Sequence, residues 1–190
     1  MSGGGISSGK LFEKRMEQEP SQTQTLWAPW RAEYFNAPRN PDFLREAGQT
    51  ADDPAHLVVL RRRYCFLMLN RYPYTAGHLM AVPYQKVGNL EDLSEGEQLE
   101  LWALAIVAQK LLRRTVAAQG FNVGLNLGAC AGAGFSDHLH LHIVPRREGD
   151  HNFMPVLAGA QVLSEGLEEL YRRLIAALAE LDLAGASQAP

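Results

Sequence analysis

Apolar residues fall into two kinds of run along this chain: short ones of strand length and longer ones at helical spacing. "HLVVLRRRYCFLMLN" (56–70) holds two apolar runs split by three arginines, which predicts a hairpin ending at Asn70. "RYPYTAG" then reads as a turn and loop, and "HLMAVPY" as another short strand, where Pro83 calls for a strand end or a free ladder position. Ser94 and Glu97 fit the capping box of a helix running to about residue 118, with Leu99, Trp102, Ile106 and Leu112 contributing to its apolar face. "GFNVGLNLG" predicts a strand, "ACAGAGF" a bend or loop, and "HLHLHIVP" the next strand. A last helix is expected over about 164–182, where Leu167, Leu170, Leu174 and Leu178 are spaced for one buried face. Strands, helix, strands, helix, joined by short connections, predict an α+β domain with a mainly antiparallel sheet.

A chain of 190 residues that is 46% hydrophobic is long enough for one domain with appended arms. Residues 1–25, polar and Gly/Ser-rich, read as a flexible arm; 26–183 as the single domain; 184–190 as a flexible tail. At the front of the domain, "LWAPWRAEYF" carries Trp27, Trp30, Tyr34 and Phe35, too much aromatic area to leave in water. Residues 36–55, rich in Pro, Asp and Asn, read as a loop. The formal net charge of -3 argues against broad binding to nucleic acid but leaves room for a local basic pocket. Arg61, Arg62 and Arg63 read as a solvated hairpin tip, and Cys65 and Cys130 as small semi-buried side chains rather than a metal-binding pair. With neither a signal-peptide stretch nor a segment apolar enough to span a bilayer, a cytoplasmic protein without membrane or stable nucleic-acid partners is expected.

Chemistry concentrates in "SDHLHLHIVPR" (136–146). Alternate residues of a strand share a face, so His138, His140 and His142 should point together, with Leu139, Leu141 and Ile143 facing a core. A metal site is one reading: neighbours about 6.6 Å apart at their backbones could share an ion, but the outer two, about 13 Å apart, could not, so a site would need a further ligand such as His78 and leave one histidine over. Nucleophilic catalysis is the other: a neutral imidazole can attack phosphorus, and the central His140 has a helper on each side. Gly124, Gly128, Gly132 and Gly134, just before the histidines, let backbone amides approach phosphate oxygens.

"HLHLHIV" followed by "PR", with "LNRYPYTAGHLMAVP" and "NLG" before it, resembles the histidine triad superfamily over about residues 55–155. "LWAPWRAEYF" and "GDHNF" (149–153) resemble the bacterial branch close to dinucleoside polyphosphate hydrolases and phosphorylases, related to the Fhit-like group. The resemblance implies a five-stranded antiparallel sheet with flanking helices, extended across a homodimer. It implies that His140 becomes nucleotidylated, that His138 and His142 contact phosphate oxygens, and that His78 is the additional histidine of the signature. Asn70 would meet the ribose and Asn126 the phosphates, while Gly132, Ala133 and Gly134, with Ser136 nearby, would form the phosphate loop. The implied substrate is diadenosine tetraphosphate or triphosphate, with magnesium accompanying its phosphates and no covalently bound cofactor. Relatives that use phosphate as acceptor tend to carry Gly-Gly-Ser where this chain has Gly132, Ala133 and Gly134, which favours a hydrolase over a phosphorylase. A nucleoside phosphoramidate hydrolase, a nucleotide-binding signalling module and a His-ligated metalloprotein are the other readings.

Overall fold

The computed structural model describes residues 40–148, 150 and 166–183. The expected arm (1–25), aromatic segment (26–35) and tail (184–190) lie outside the described residues. Helices α1 (Phe43–Gln49) and α2 (Asp53–His56) lead into strands β1 (Val58–Arg61), β2 (Cys65–Leu69) and β3 (Leu79–Pro83). Helix α3 (Glu95–Val116), β4 (Gly120–Leu125), β5 (Leu141–Arg146) and α4 (Leu167–Glu180) follow. The five strands form one sheet in the order β1-β2-β3-β5-β4, with every pairing antiparallel.

Strand periodicity sorts the core into two layers. Cys65, Leu67, Leu69, Leu79, Ala81, Leu141 and Ile143 pack toward α3 and α4, with Leu104, Ala108, Leu111, Leu170 and Leu174 on the helical side. The intervening residues Phe66, Met68, Met80 and Val82 meet Leu44 and Ala47 of α1 in a smaller cluster. Covered on both faces, β2 and β3 are continuous apolar runs, as central strands are. The inner β5 carries His142 and follows directly on His138 and His140, and β4 is an edge.

Two caps fix the ends of the long helix. Ser94 Oγ accepts from the Glu97 N–H at 3.3 Å while Glu97 Oε2 accepts from the Ser94 N–H at 2.8 Å, which is the expected capping box. The far end comes at Val116, where Ala117 turns left-handed.

The buried face of α3 differs from the expected one. Leu101, Leu104, Ala105, Ala108, Leu111 and Leu112 face the sheet, and of the four residues expected there only Leu112 does. Leu99, Trp102 and Ile106 are 72%, 51% and 56% exposed. The helix is apolar on more than one side, and Ala105 and Ala108 let it settle closely on the sheet, so close packing rather than side-chain size selects the inner face. The last helix follows expectation, with Leu170, Leu174 and Leu178 buried and Leu167 packed at the core's margin.

Three further expectations need correction. The segment 36–55 contains α1 and α2. Arg61 is not a solvated tip: it pairs with Asp53 at 2.6 Å and donates to the carbonyls of Ala47, Gly48 and Thr50, meeting the free carbonyls at the end of α1. Cys65 is fully buried and Cys130 exposed, both as free thiols, so neither is semi-buried.

Candidate active site

The sheet ladder of β5 begins at Leu141, opposite Ala81 of β3 and Leu125 of β4. Upstream of it the backbone leaves regular strand geometry. Leu139 N–H donates to Val87 O at 2.7 Å, and His138 Nε2 donates to Pro83 O at 3.0 Å, so this part of the chain is tied to β3 and the segment after it. The expected division still holds on the apolar side, where Leu139, Leu141 and Ile143 enter the main core. On the polar side it holds for two histidines of three. His140 and His142 line a cavity, their rings 4.7 Å apart edge to face, whereas His138 is 1% exposed and is not part of its lining.

Backbone groups of fixed sense determine the proton positions of all four imidazoles. The Tyr74 N–H can only donate, and it donates to His78 Nδ1 at 3.1 Å, joined there by the Asn70 amide at 3.2 Å. The proton of neutral His78 therefore sits on Nε2, 2.9 Å from His142 Nδ1, which accepts it. His142 is left with its proton on Nε2, facing the cavity; the Asn126 side-chain amide, 3.5 Å away, can meet that proton only by turning its oxygen rather than its nitrogen toward the ring. In the same way His140 Nδ1 donates to the carbonyl of His138 at 2.9 Å. Among the described residues its Nε2 has no partner, which leaves its lone pair uncommitted.

Burial keeps these rings neutral. It holds His78 down to about 3 and His142 to about 4, with the neighbouring imidazoles adding to the effect. Burial lowers His140 and His138 too, each partly offset by its bond to a carbonyl. At neutral pH the site thus offers an unprotonated nucleophilic nitrogen beside a ring N–H donor. A metal ion shared among these rings would have to displace bonds that occupy both nitrogens of His78 and Nδ1 of His142.

The cavity encloses about 300 Å³, the low end for small-molecule sites and room for one nucleotide moiety. Of the residues expected to bind substrate, Asn70, Asn126, Gly132 and Gly134 line it; Ala133 and Ser136 do not. Asn70 is committed to local structure, its Oδ1 accepting the Tyr72 N–H at 2.9 Å and its amide nitrogen reaching His78. Gly132 needs its missing side chain, since φ is +86° there. Asn40, Phe43, Arg71, Tyr72, Tyr74, Met80 and Phe135 complete the wall. Phe43 of α1 meets Phe135 of the glycine loop edge to face at 4.8 Å, so the wall joins an early helix to the loop that precedes the histidines. Only "RYPY", aromatics on a loop beside His78, could have drawn attention to some of these residues beforehand. Arg147 lies elsewhere, donating to Val116 O at the end of α3, and Asp150 orders the turn after β5 by accepting the Arg147 N–H.

The HIT domain model matches residues 52–149, more than half of the chain, and spans the whole histidine site. The chain belongs to the HIT family. Among HIT relatives, "AP-4-A phosphorylase" of Mycobacterium tuberculosis is 40% identical over 175 residues, covering 87% of this chain and 89% of that protein. A "Bis(5'-nucleosyl)-tetraphosphatase [asymmetrical]" of Schizosaccharomyces pombe is 28% identical, covering 60% of this chain and 63% of that one. Among solved HIT structures, a Zn-bound histidine triad family protein from Mycobacterium smegmatis superposes with a TM-score of 0.57 at 29% identity, covering 67% of this chain and 87% of that one. The chain is thus a HIT-domain enzyme of the nucleotide hydrolase or transferase type, beside the bacterial phosphorylase-like branch. Among the described residues no helix is long and apolar enough to cross a membrane.

Proposed function

We propose that this enzyme is a dinucleoside polyphosphate phosphorylase that works through a nucleotidyl-His140 intermediate. His140 Nε2 attacks the α-phosphorus, a P–N bond forms, and the P–O bond to the remaining nucleoside polyphosphate breaks, its electrons leaving on that oxygen. A polyphosphate end is a stable anion near neutral pH and departs without a proton. His142 Nε2–H donates to the phosphoryl oxygens as their charge grows, and Gly132 and Gly134 line the same cavity. Inorganic phosphate then attacks the α-phosphorus and the P–N bond breaks. With diadenosine tetraphosphate the products are ATP and ADP.

The observation that supports phosphate over water is the 40% identity, over nearly the whole of both chains, to a protein named AP-4-A phosphorylase. This reverses the order expected from the glycine loop, where the serine of Gly-Gly-Ser is missing. We keep magnesium as a companion of the substrate's phosphates. His138 acts in this reading through its carbonyl, which orients His140. Asn70 supports His78 and stands at the cavity wall within reach of a ribose. We further propose a homodimer: β4 is an edge strand, and the exposed Leu99, Trp102 and Ile106 give α3 an apolar stripe suited to a second copy.

The deciding experiment supplies diadenosine tetraphosphate with isotopically labelled phosphate. Label in ADP, with unlabelled ATP as co-product, is the expected result. AMP plus ATP at saturating phosphate would return water as the acceptor, and tight binding without turnover would make the chain a nucleotide-binding module.

A further inference from the structure

We propose that Tyr74 is a positioning residue whose ring seals the His78–His142 pair from water, and so keeps the His142 Nε2 proton aimed into the cavity. The use made of that proton rests on the phosphorylase reading; the seal itself is argued from geometry.

The Tyr74 ring lies over both imidazoles, its centroid 4.6 Å from that of His78 at 38° and 5.8 Å from that of His142 at 32°. Beneath it the two imidazoles are 5.1 Å apart. Tyr74 is itself 49% exposed, yet His78 below its ring is 0% and His142 9% exposed. Tyr74 therefore presents its outer side to solvent while its inner side rests on the pair. The loop is built to hold it there. Its own N–H is the donor to His78 Nδ1, His78 N–H donates to Thr75 O at 3.1 Å, and Thr75 Oγ1 reaches Pro145 O at 3.3 Å. One residue thus supplies both the hydrogen bond that selects the His78 tautomer and the apolar cover that protects it.

Cover matters because, among the described residues, no opposite charge does its work. Among the described residues the titratable groups acting on His78 are His142 and His140, and the one acting on His142 is His140; none of these is a carboxylate able to hold a proton in place. Solvated imidazole protonates near pH 6.5 and exchanges its proton between nitrogens through water. Water admitted over the pair would let His142 place a lone pair, or a second proton, where the proposed reaction needs a single Nε2–H. The Tyr74 hydroxyl has no part in this, so phenylalanine should substitute for tyrosine.

The test is a titration of histidine ring nitrogen-15 spectra on the full chain, from about pH 3 to about pH 8, spanning the lowered values of the pair and the ordinary imidazole midpoint. Wild type and Tyr74→Phe are expected to hold His78 and His142 as Nε2–H tautomers with no midpoint near neutrality. In Tyr74→Ala, the midpoint of at least one of the two should rise by about one pH unit or more toward the solvated value, with averaged nitrogen shifts. Tyr74→Leu, which keeps apolar bulk, carries the test if the alanine variant does not fold, with a smaller displacement in the same direction. Spectra of Tyr74→Ala that match wild type throughout the titration would overturn the proposal, as would equal displacement in the phenylalanine variant. Because the spectra need no substrate, a failure of the seal is distinguishable from a failure of the phosphorylase reading. In turnover, the acid limb of kcat should move upward in Tyr74→Ala and return in Tyr74→Phe.

Discussion

Acidification is expected to destabilise this protein through His78 more than through any surface group, and one substitution isolates the effect. An unfolded histidine takes up a proton near pH 6.5, whereas folded His78 resists protonation down to about 3 and His142 down to about 4. Between those limits the unfolded chain binds more protons than the folded one. Stability therefore falls as pH drops through 6.5, and the His78 contribution stops falling only below about 3. From about pH 7 to about pH 5 each of the two buried rings should cost about 2 kcal/mol, or about 4 kcal/mol for the pair. That is a large part of the roughly 5–15 kcal/mol that holds a domain folded. Guanidinium unfolding at the two pH values measures the loss. Carboxylates shared by both proteins cancel in a comparison with His78→Gln, which cannot take up the proton. The variant should begin less stable at neutral pH, having lost ring contacts, but lose about 2 kcal/mol less on acidification. Equal losses in the two proteins would mean that folded His78 protonates as readily as unfolded histidine, refuting the dry, neutral site.

His140→Ala should lower steady-state turnover by roughly three orders of magnitude or more while leaving the unfolding midpoint near wild type, and retained activity would remove His140 as nucleophile. Gly134→Ser should lower the KM for phosphate, because a side chain built at Gly134 meets nothing within 4 Å and its backbone is not left-handed; an unchanged KM would separate the missing serine from acceptor choice. Trp102→Glu should convert the proposed dimer to a monomer in sedimentation velocity while changing monomer stability by no more than about 0.5 kcal/mol, as expected where the residue is half exposed. A wild-type monomer at the same concentration would refute the second-copy reading.

Strand positions and the histidine motif were legible because each is written locally. The hairpin around Arg61–Tyr64 and the alternation of Leu139, Leu141 and Ile143 follow from a two-residue period over a few positions. The inner face of α3 was not, because leucines, alanines and a tryptophan occur around much of the helix and only the shape of the sheet selects among them. Helix α1 was hidden by brevity: Leu44 and Ala47 are its only buried residues, in a segment whose Pro, Asp and Asn content reads as turn. The same blind spot removed Asn40 and Phe43 from the expected site, since their place in the cavity depends on a meeting with Phe135 across the fold.

His138 shows what the motif means beyond its spacing. Alternation alone would make three equivalent rings. In the fold they are unequal because each network ends on a backbone group that cannot exchange donor for acceptor. A carbonyl takes the His138 proton, another takes the His140 proton, and an amide N–H fills His78 Nδ1. Each of these contacts admits one tautomer of a neutral ring, and together they leave one lone pair on His140 and one N–H on His142 at the same cavity wall. Exchanging either proton position would face phosphate with two lone pairs or two donors, and neither pairing both attacks phosphorus and steadies the departing charge. The backbone path around His138, Tyr74 and Pro83 is thus as much a part of the chemistry as the imidazoles it orients.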